Sequence, residues 1–434
     1  MNRHLHRERI AERGTWMKRR HYSLSTLSCL LFLLAISSCT ATLDAGKPPS
    51  ASCFMRTYGG TFDEDATSVQ VTPDGGYIAL GTTSTVGPGA KDFYLVKFDA
   101  TGIAQWQQEF GTKKDDAATA LVQTSDGYVM LGTTTGFEYA HTVSPGFFLV
   151  KSNLSGSATP IWNEHFKIDS NLSYQSSALL ALPDGGFLVA GWSWSSTDTS
   201  IRTPCLIRLD DTGYIIWAHS YPDTTDQKDT RIHGVVRTTD GGFVAVGGQT
   251  SKSSQPSSIY FLKTDANGIE TQATTIPTTI GEGFGIDLDP NGYVVYGYTK
   301  TISSSLPLAS TIYVSPAFGF SVGPAPTQPS TDNASQFNAG CRTSDGGTIS
   351  IGTTNATTNG SNDIIIMKVD AHADVNPQWV HTFGGPRSDV GMSVSQAPDG
   401  GYILLGTTES FGTSVRTGDD IILIKVDVNG QLCN

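Results

Sequence analysis

The chain has 434 residues, of which only 16% are charged and 47 are glycine, a balance that suits short strands and tight turns rather than long helices. The first 38 residues carry 7 basic and 2 acidic side chains, so the remainder holds 21 Lys and Arg against 38 Asp and Glu, a net charge of −17. A surface that acidic, with no basic stripe, excludes nucleic acid as a partner, because phosphate binding needs clustered Lys and Arg.

Lys18, Arg19 and Arg20 stand ahead of an apolar run, Leu27 to Ile36, which is too short to span a bilayer and suits the core of a signal peptide. Met17 opens that segment, so residues 1–16 read as an over-extended start. The run ends Ile36-Ser37-Ser38-Cys39, and a small residue directly before a cysteine resembles the lipobox of bacterial lipoproteins. That resemblance implies a signal peptide over 1–38 and lipidation of Cys39, with ordinary secretory cleavage nearby as the alternative. Thr40 is not the acid associated with inner-membrane retention in some bacteria, which points to an outer-membrane lipoprotein on either side of that membrane. Residues 39–52 are otherwise small, polar and Pro-containing, with no apolar period to bury, and read as a flexible tether.

From Cys53 onward the chain repeats itself. Thr72 to Gly81, TPDGGYIALG, returns at Ser125, Pro183, Thr239, Pro290, Ser344 and Pro398, making seven copies spaced 50 to 59 residues apart. Each copy sets Asp-Gly or Asn-Gly, which tolerate positive φ, before an apolar run, and so encodes a hairpin. In the second unit, strands are expected at Trp106–Phe110, Ala117–Thr124, Tyr128–Thr133 and Phe147–Lys151. Four strands of about six residues plus turns fill such a repeat. Seven repeats over 53–434 therefore predict an all-β fold, a seven-bladed β-propeller of four-stranded antiparallel blades, in which neighbouring blades bury each other's faces.

Side chains that recur in each unit have packing roles. Trp106, Trp162, Trp217 and Trp379, with Phe54 at the matching place in the first unit, occupy one repeat position and read as core. The segment DFYLVKFD from Asp92 and its relatives put a basic residue two before an Asp, as in Lys97 and Asp99, which predicts an ion pair along one strand face and an Asx turn. The fifth unit breaks the pattern with Gln272 and Ser315, and residues 301–336 read either as a long insertion or as a poorly ordered junction.

The recurring W…FGG…D-A…DGGY…GTT…D…LVK-D, seen from Trp379 to Asp427, resembles the secreted bacterial β-propeller repeat (SBBP) proteins. The resemblance covers residues 53–434 and implies a propeller outside the cytoplasm; it transfers no chemistry.

Counting along the repeat puts Cys433 and Cys53 at equivalent places on the last and first units, so a closed ring brings them together. In an oxidising envelope they form a disulfide latch, with two free thiols as the alternative. Cys205 and Cys341 fall in separate strands and read as buried thiols. The Phe54 strand is also placed to complete the last blade as its outer strand.

Alternation of strand direction puts the long, variable loops on one face and the DGG and D-x-x-G turns on the other, and the loop face is the expected binding face. On it Phe137, Tyr139, His141, Trp192 and Trp194 form a candidate patch for a peptide or glycan, against simple loop packing. Asp63, Glu64, Asp65, Asp115 and Asp116 read as solvated turns before a cation site. Asp287 to Gly292 imitates a calcium loop but carries Tyr298 at the twelfth position. Gly319 to Gly323 spells G-x-S-x-G without strand-to-helix context.

No catalytic set, metal motif or cofactor motif emerges, so a monomeric, lipid-anchored envelope module that binds or scaffolds a protein or glycan is the expected function. The alternatives are a glycan-binding adhesin and a quinoprotein-like dehydrogenase, the latter echoed by D-x-T-G-x-x-x-W at Asp99 to Trp106.

Overall fold

Asp-Gly turns followed by apolar runs fold the chain into consecutive antiparallel hairpins. A computed structural model describes residues 53–433 apart from 85–86, 88, 137, 140–141, 196, 224–227, 252–253, 301–305, 323–333, 357–360, 372–376 and 413–417. The expected signal peptide, Cys39 and the tether lie outside the described residues, as do Phe137 and His141. No helix among the described residues is long and apolar enough to cross a membrane.

The described chain is all-β, with the topology of a propeller. Five sheets have four strands each, and the first is built in chain order from Glu64–Val71, Tyr77–Thr83, Asp92–Phe98 and Ala104–Phe110. A sixth sheet has seven strands. Its long strand Glu270–Asp289 pairs with Ser254–Thr264 through its first half and with Gly292–Lys300 through its second. It is therefore the outer strand of one four-strand set and the inner strand of the next. Leu308–Val314 and the short edge Phe320–Val322 complete that second set, so the irregular fifth repeat still supplies its strands. A small hairpin, Glu138–Tyr139 with Thr142–Val143, stands apart.

The expected grouping of strands needs one correction. Trp106–Phe110 does not open a unit with Asp116–Gln123; it closes the preceding sheet by pairing with Asp92–Phe98. The reason is local. Asp99 N–H donates to the Ile103 carbonyl at 2.9 Å and Gly102 takes φ of 80° to within a degree, at 79°, which reverses the chain at once. The same permutation leaves Phe54–Tyr58 without a sheet of its own, and it pairs with Asp420–Val426 as the outer strand of the last sheet, Phe54 opposite Lys425.

Each sheet packs its inner strand on the sheet before it, and Glu64–Val71 of the first packs on Asp389–Gln396 and Tyr402–Thr408 of the last. The sheets remain separate ladders joined mainly by side chains, with isolated backbone bonds at the loop end. Asp116 N–H reaches the Lys91 carbonyl at 2.7 Å, Asp389 the Asn362 carbonyl at 2.8 Å, and Glu64 the Asp419 carbonyl at 2.8 Å. Cys53 and Cys433 are disulfide-bonded, with Cα atoms 5.1 Å apart. Cys205 is a buried free thiol, while Cys341 is only partly covered.

The recurring tryptophans pack as expected. Trp106 meets Tyr128 of the next sheet at 6.2 Å between ring centroids, Trp162 meets Phe187 at 6.1 Å, and Trp379 meets Tyr402 at 5.8 Å. Phe54 makes the same contact across the chain ends, to Tyr77 at 6.2 Å. Its ring also lies so close to Gly102 that a Cβ there would come within 2.4 Å.

The ion pair foreseen between Lys97 and Asp99 forms differently. Lys97 Nζ lies 2.8 Å from Asp74, the acid of the DGG turn, and Lys151, Lys368 and Lys425 reach Asp126, Asp345 and Asp399 at the same distance. Asp99 makes the Asx turn alone, accepting from Thr101 and Ile103 N–H groups at 2.8 and 2.9 Å. The side chain of Lys97 points along the buried sheet face toward the adjacent hairpin turn, where a carboxylate and the Phe98 carbonyl satisfy it.

Candidate functional site

A β-bulge interrupts every inner strand at the same place. The register slips between Ala66 and Ser68, Ala118 and Ala120, Ser176 and Ala178, Ile232 and Gly234, Gly283 and Gly285, Phe337 and Ala339, and Gly391 and Ser393. Thr67, Thr119, Ser177, His233, Phe284, Asn338 and Met392 are the unpaired residues. A bulge leaves one residue out of the ladder and re-aims it. Here it frees backbone donors that the neighbouring sheet takes up: Ala66, Ala118 and Ser176 N–H groups donate to the hydroxyls of Thr407, Thr82 and Thr133 at 2.9 to 3.0 Å. Three of the Gly-Thr-Thr segments thus have a structural use, binding an inner strand to the sheet beside it.

The bulged residues approach one another from sheet to sheet. Asn338 Nδ2 donates to the Gly391 carbonyl at 2.8 Å beside Met392, Thr119 shares a hydroxyl bond of 2.7 Å with Ser176, and the rings of His233 and Phe284 are 5.1 Å apart. They belong to two clusters that differ chemically.

In the first, Thr67, Thr119 and Met392 line a cavity of about 510 Å³ together with Asp65, Glu409 and Asp419. Partial burial raises the Asp419 pKa, and the charges of Asp65, Glu409, Asp63 and Asp420 add to it. Lys91 stands 3.8 Å from Asp65. In the second, Trp192 meets His233 edge-on at 5.3 Å, and Phe284 in turn lies 6.1 Å from Tyr298. Glu282 is buried and its Oε1 lies 2.8 Å from His233 Nε2. Burial alone would raise the Glu282 pKa, but the hydrogen bond and charge of His233, with Arg231, outweigh it and hold it below the ordinary value. Glu409 and Asp419 of the first cluster, and Trp192 and Tyr298 of the second, stand toward the loop ends of their strands.

The sequence candidates divide accordingly. Trp192 reaches His233, half-buried, and Trp194 lies half-buried two residues on in the same strand, Phe187–Ser195. Tyr139 is in the separate hairpin. The acids expected to be solvated turns are of two kinds. Asp63 and Asp115 are exposed, whereas Glu64 and Asp116 are buried caps: Glu64 accepts from Gly60 N–H at 2.6 Å and from the Thr83 hydroxyl at 2.9 Å, and Asp116 accepts from Thr112 N–H. His233, Phe284 and Met392 were not foreseen. A signal for them exists, since every bulged residue stands ten places before the residue after the turn glycine, nine where the turn is one residue shorter. In the calcium-like stretch, Asp287 accepts from Tyr296 and Asp289 pairs with Arg342 at 2.7 Å. No group of three or more metal-ligating side chains is present among the described residues.

Beside Asp116, Asp92 is also fully buried, and burial with the charges of Asp116, Asp115 and Glu109 pushes its pKa up to about 6. A raised carboxyl pKa favours folding below the unfolded value of about 4 and loses that contribution as pH rises through the folded value. Asp92→Asn is therefore expected to raise the melting temperature at pH 7.5 and to leave it unchanged or lower at pH 4. Thermal melts at the two pH values check this, and equal shifts at both would contradict it.

The comparisons with known proteins add names but no chemistry. No protein-family model matches the chain, and no curated protein matches it in sequence. Among solved structures, a protein of unknown function from Dyadobacter fermentans is 12% identical, with a TM-score of 0.48 over 86% of this chain and 97% of that one. The alpha-L-arabinanase of Penicillium chrysogenum, complexed with arabinobiose, is 13% identical, with a TM-score of 0.44 over 88% and 99%. The endosialidase of phage phi92 is 11% identical, with a TM-score of 0.46 over 87% and 69%. The site is accordingly read from its own residues.

Proposed function

We propose that this chain is an envelope binding module, lipid-anchored at Cys39, whose seven four-stranded blades close into a ring and receive a ligand at the axial mouth of the loop face. The repeat pattern shared with secreted bacterial propeller proteins, the lipobox-like segment before Cys39 and the Cys53–Cys433 disulfide support the envelope setting. The observation that supports the binding reading is the set of bulged residues, with acids beside Thr67, Thr119 and Met392 and an aromatic and histidine surface at Trp192, His233 and Phe284.

A ligand suited to both sides is a protein segment with a basic side chain next to an aromatic one. The guanidinium or ammonium group meets Asp65, Glu409 and Asp419, and the ring stacks along Trp192, His233 and Phe284. Short peptides containing adjacent Arg and Trp, titrated by calorimetry at low salt, test this. Binding is expected to weaken about tenfold in Asp65→Asn/Asp419→Asn and in His233→Ala, and to weaken with added salt for the acid side alone. Equal affinity in all three proteins would remove the axial mouth as the site. Binding to a glycan array that is lost in Trp194→Ala would instead favour the adhesin reading.

A further inference from the structure

The large apolar side chains that remain exposed are unevenly placed. Ile103, Leu154, Tyr214, Ile269, Val428 and Leu432 are each more than a third exposed, Tyr214 reaching 67%. All six belong to the D-x-x-G turns, the matching N-x-x-G turn at Asn153, or the residues just after them, in five strand sets and at the same end of the strands. Among the described residues, Phe62 is the one large apolar side chain of comparable exposure in a loop at the opposite end. Scattered exposed apolar residues need no explanation, but a repeated set confined to one face indicates contact with another apolar phase.

Part of the charge on that face is paired. Asp74, Asp126, Asp184, Asp345 and Asp399 of the hairpin turns each pair with a strand Lys or Arg within 3 Å, while Asp99, Asp210, Asp265 and Asp427 of the D-x-x-G turns add further acids there. The chain also arrives at this face. Phe54 lies opposite Lys425 and Tyr58 opposite Ile421, so the Phe54–Tyr58 strand begins at the turn end, next to the Gly430 turn and the disulfide.

We infer that this turn face is a membrane-docking surface, seated on a bilayer of net-neutral lipid, with the axial mouth turned away from it; the inference rests on anchoring at Cys39. Thirteen residues lie between Cys39 and Cys53. That length reaches at most about 50 Å, while the strands themselves cross about 23 Å. The turn face, where Phe54–Tyr58 begins, is within its reach directly, whereas presenting the loop face would use about half of that reach to cross the strands. Partial insertion of an isoleucine or tyrosine at each of several turns then adds buried apolar area to the lipid anchor and orients the protein on the bilayer. The acids of the Asx turns, such as Asp99 and Asp265, keep the face from favouring anionic lipid.

Two preparations of the full-length mature chain test this: the lipidated protein in phosphatidylcholine vesicles, and a Cys39→Ser form held on such vesicles through an N-terminal histidine tag and a nickel-chelating lipid. Single cysteines are introduced as Ile269→Cys or Phe62→Cys, and maleimide labelling is compared on and off vesicles. Labelling at 269 is expected to slow about tenfold on vesicles in both preparations, with no change at 62, and the protection to vanish in Ile103→Ser/Tyr214→Ser. Equal labelling of both positions overturns the docking face, whichever way the protein is held. If the lipidated form fails to float with vesicles while the tagged form still shows protection at 269, anchoring at Cys39 is what fails, and the docking face stands.

Discussion

Replacing Cys53 and Cys433 with serine is expected to lower the free energy of unfolding by about 2 to 5 kcal/mol, at the upper end if chain entropy dominates, because the bond closes a loop of 380 residues. The disulfide ties down a strand of only five residues, Phe54–Tyr58, that is the sole contribution of the N-terminal end to the last sheet. Phe54 packs on Tyr77 and over Gly102 of the first sheet while its backbone pairs with the last. One short strand therefore holds both ends of the chain, and its loss exposes the edge of Asp420–Val426 and the side of the first sheet together. Guanidinium melts of the double serine variant against wild type, with and without reductant, measure the effect. Reductant should bring wild type to the variant's midpoint and leave the variant unmoved. A variant as stable as wild type would mean that the ends do not hold the structure closed.

Lys425→Ala is expected to cost about 3 kcal/mol, the lower end of what breaking a buried ion pair costs, since Asp399 retains some contact with water. Lys425 is 1% exposed; its Nζ reaches Asp399 at 2.8 Å and the Val426 carbonyl at 3.0 Å. Truncation leaves a carboxylate facing an emptied space and a carbonyl without its donor. Lys425→Met with Asp399→Asn removes both charges while keeping the volume, and should recover most of the loss. Denaturation of the two singles and the double isolates the coupling; a strictly additive cycle would show that the pair does not act as a unit. The corresponding acids in the turns before Tyr77–Thr83 and Thr348–Thr354 report the same arrangement. Burial opposes ionisation of Asp74 and Asp345, yet hydrogen bonds from Lys97 and Lys368, with those from Thr72 and Thr343, lower both carboxyls to about 2. Their contribution is thus present above the unfolded value of about 4 and is lost as pH falls toward the folded value.

The features that sequence made legible are those fixed by neighbours in the chain. Asp-Gly followed by an apolar run specifies a hairpin wherever it occurs, and the spacing of Trp106, Trp162, Trp217 and Trp379 reports one packing position repeated. The Cys53–Cys433 bond followed from counting, because a periodic chain that closes must bring equivalent positions together. What escaped notice depended on partners far along the chain. Whether Trp106–Phe110 belongs to the sheet before or after it is decided by the tightness of the Asp99–Gly102 turn, which composition does not reveal. Lys97 has an Asp two residues away and another 23 residues away, and only the pleat of the sheet shows that the distant one is its partner. The bulged residues were the least visible. A bulge is a mismatch between two strands, so His233 or Met392 looks like any strand residue until Phe243–Ser251 and Tyr402–Thr408 are laid beside it.

A crystal structure of residues 53–434 tests the closed ring most directly. It is expected to show seven four-stranded sheets about one axis, Phe54–Tyr58 hydrogen-bonded to Asp420–Val426, and the seven bulged residues facing the centre; an open superhelix, a different number of sheets, or Cys53 far from Cys433 would contradict the account.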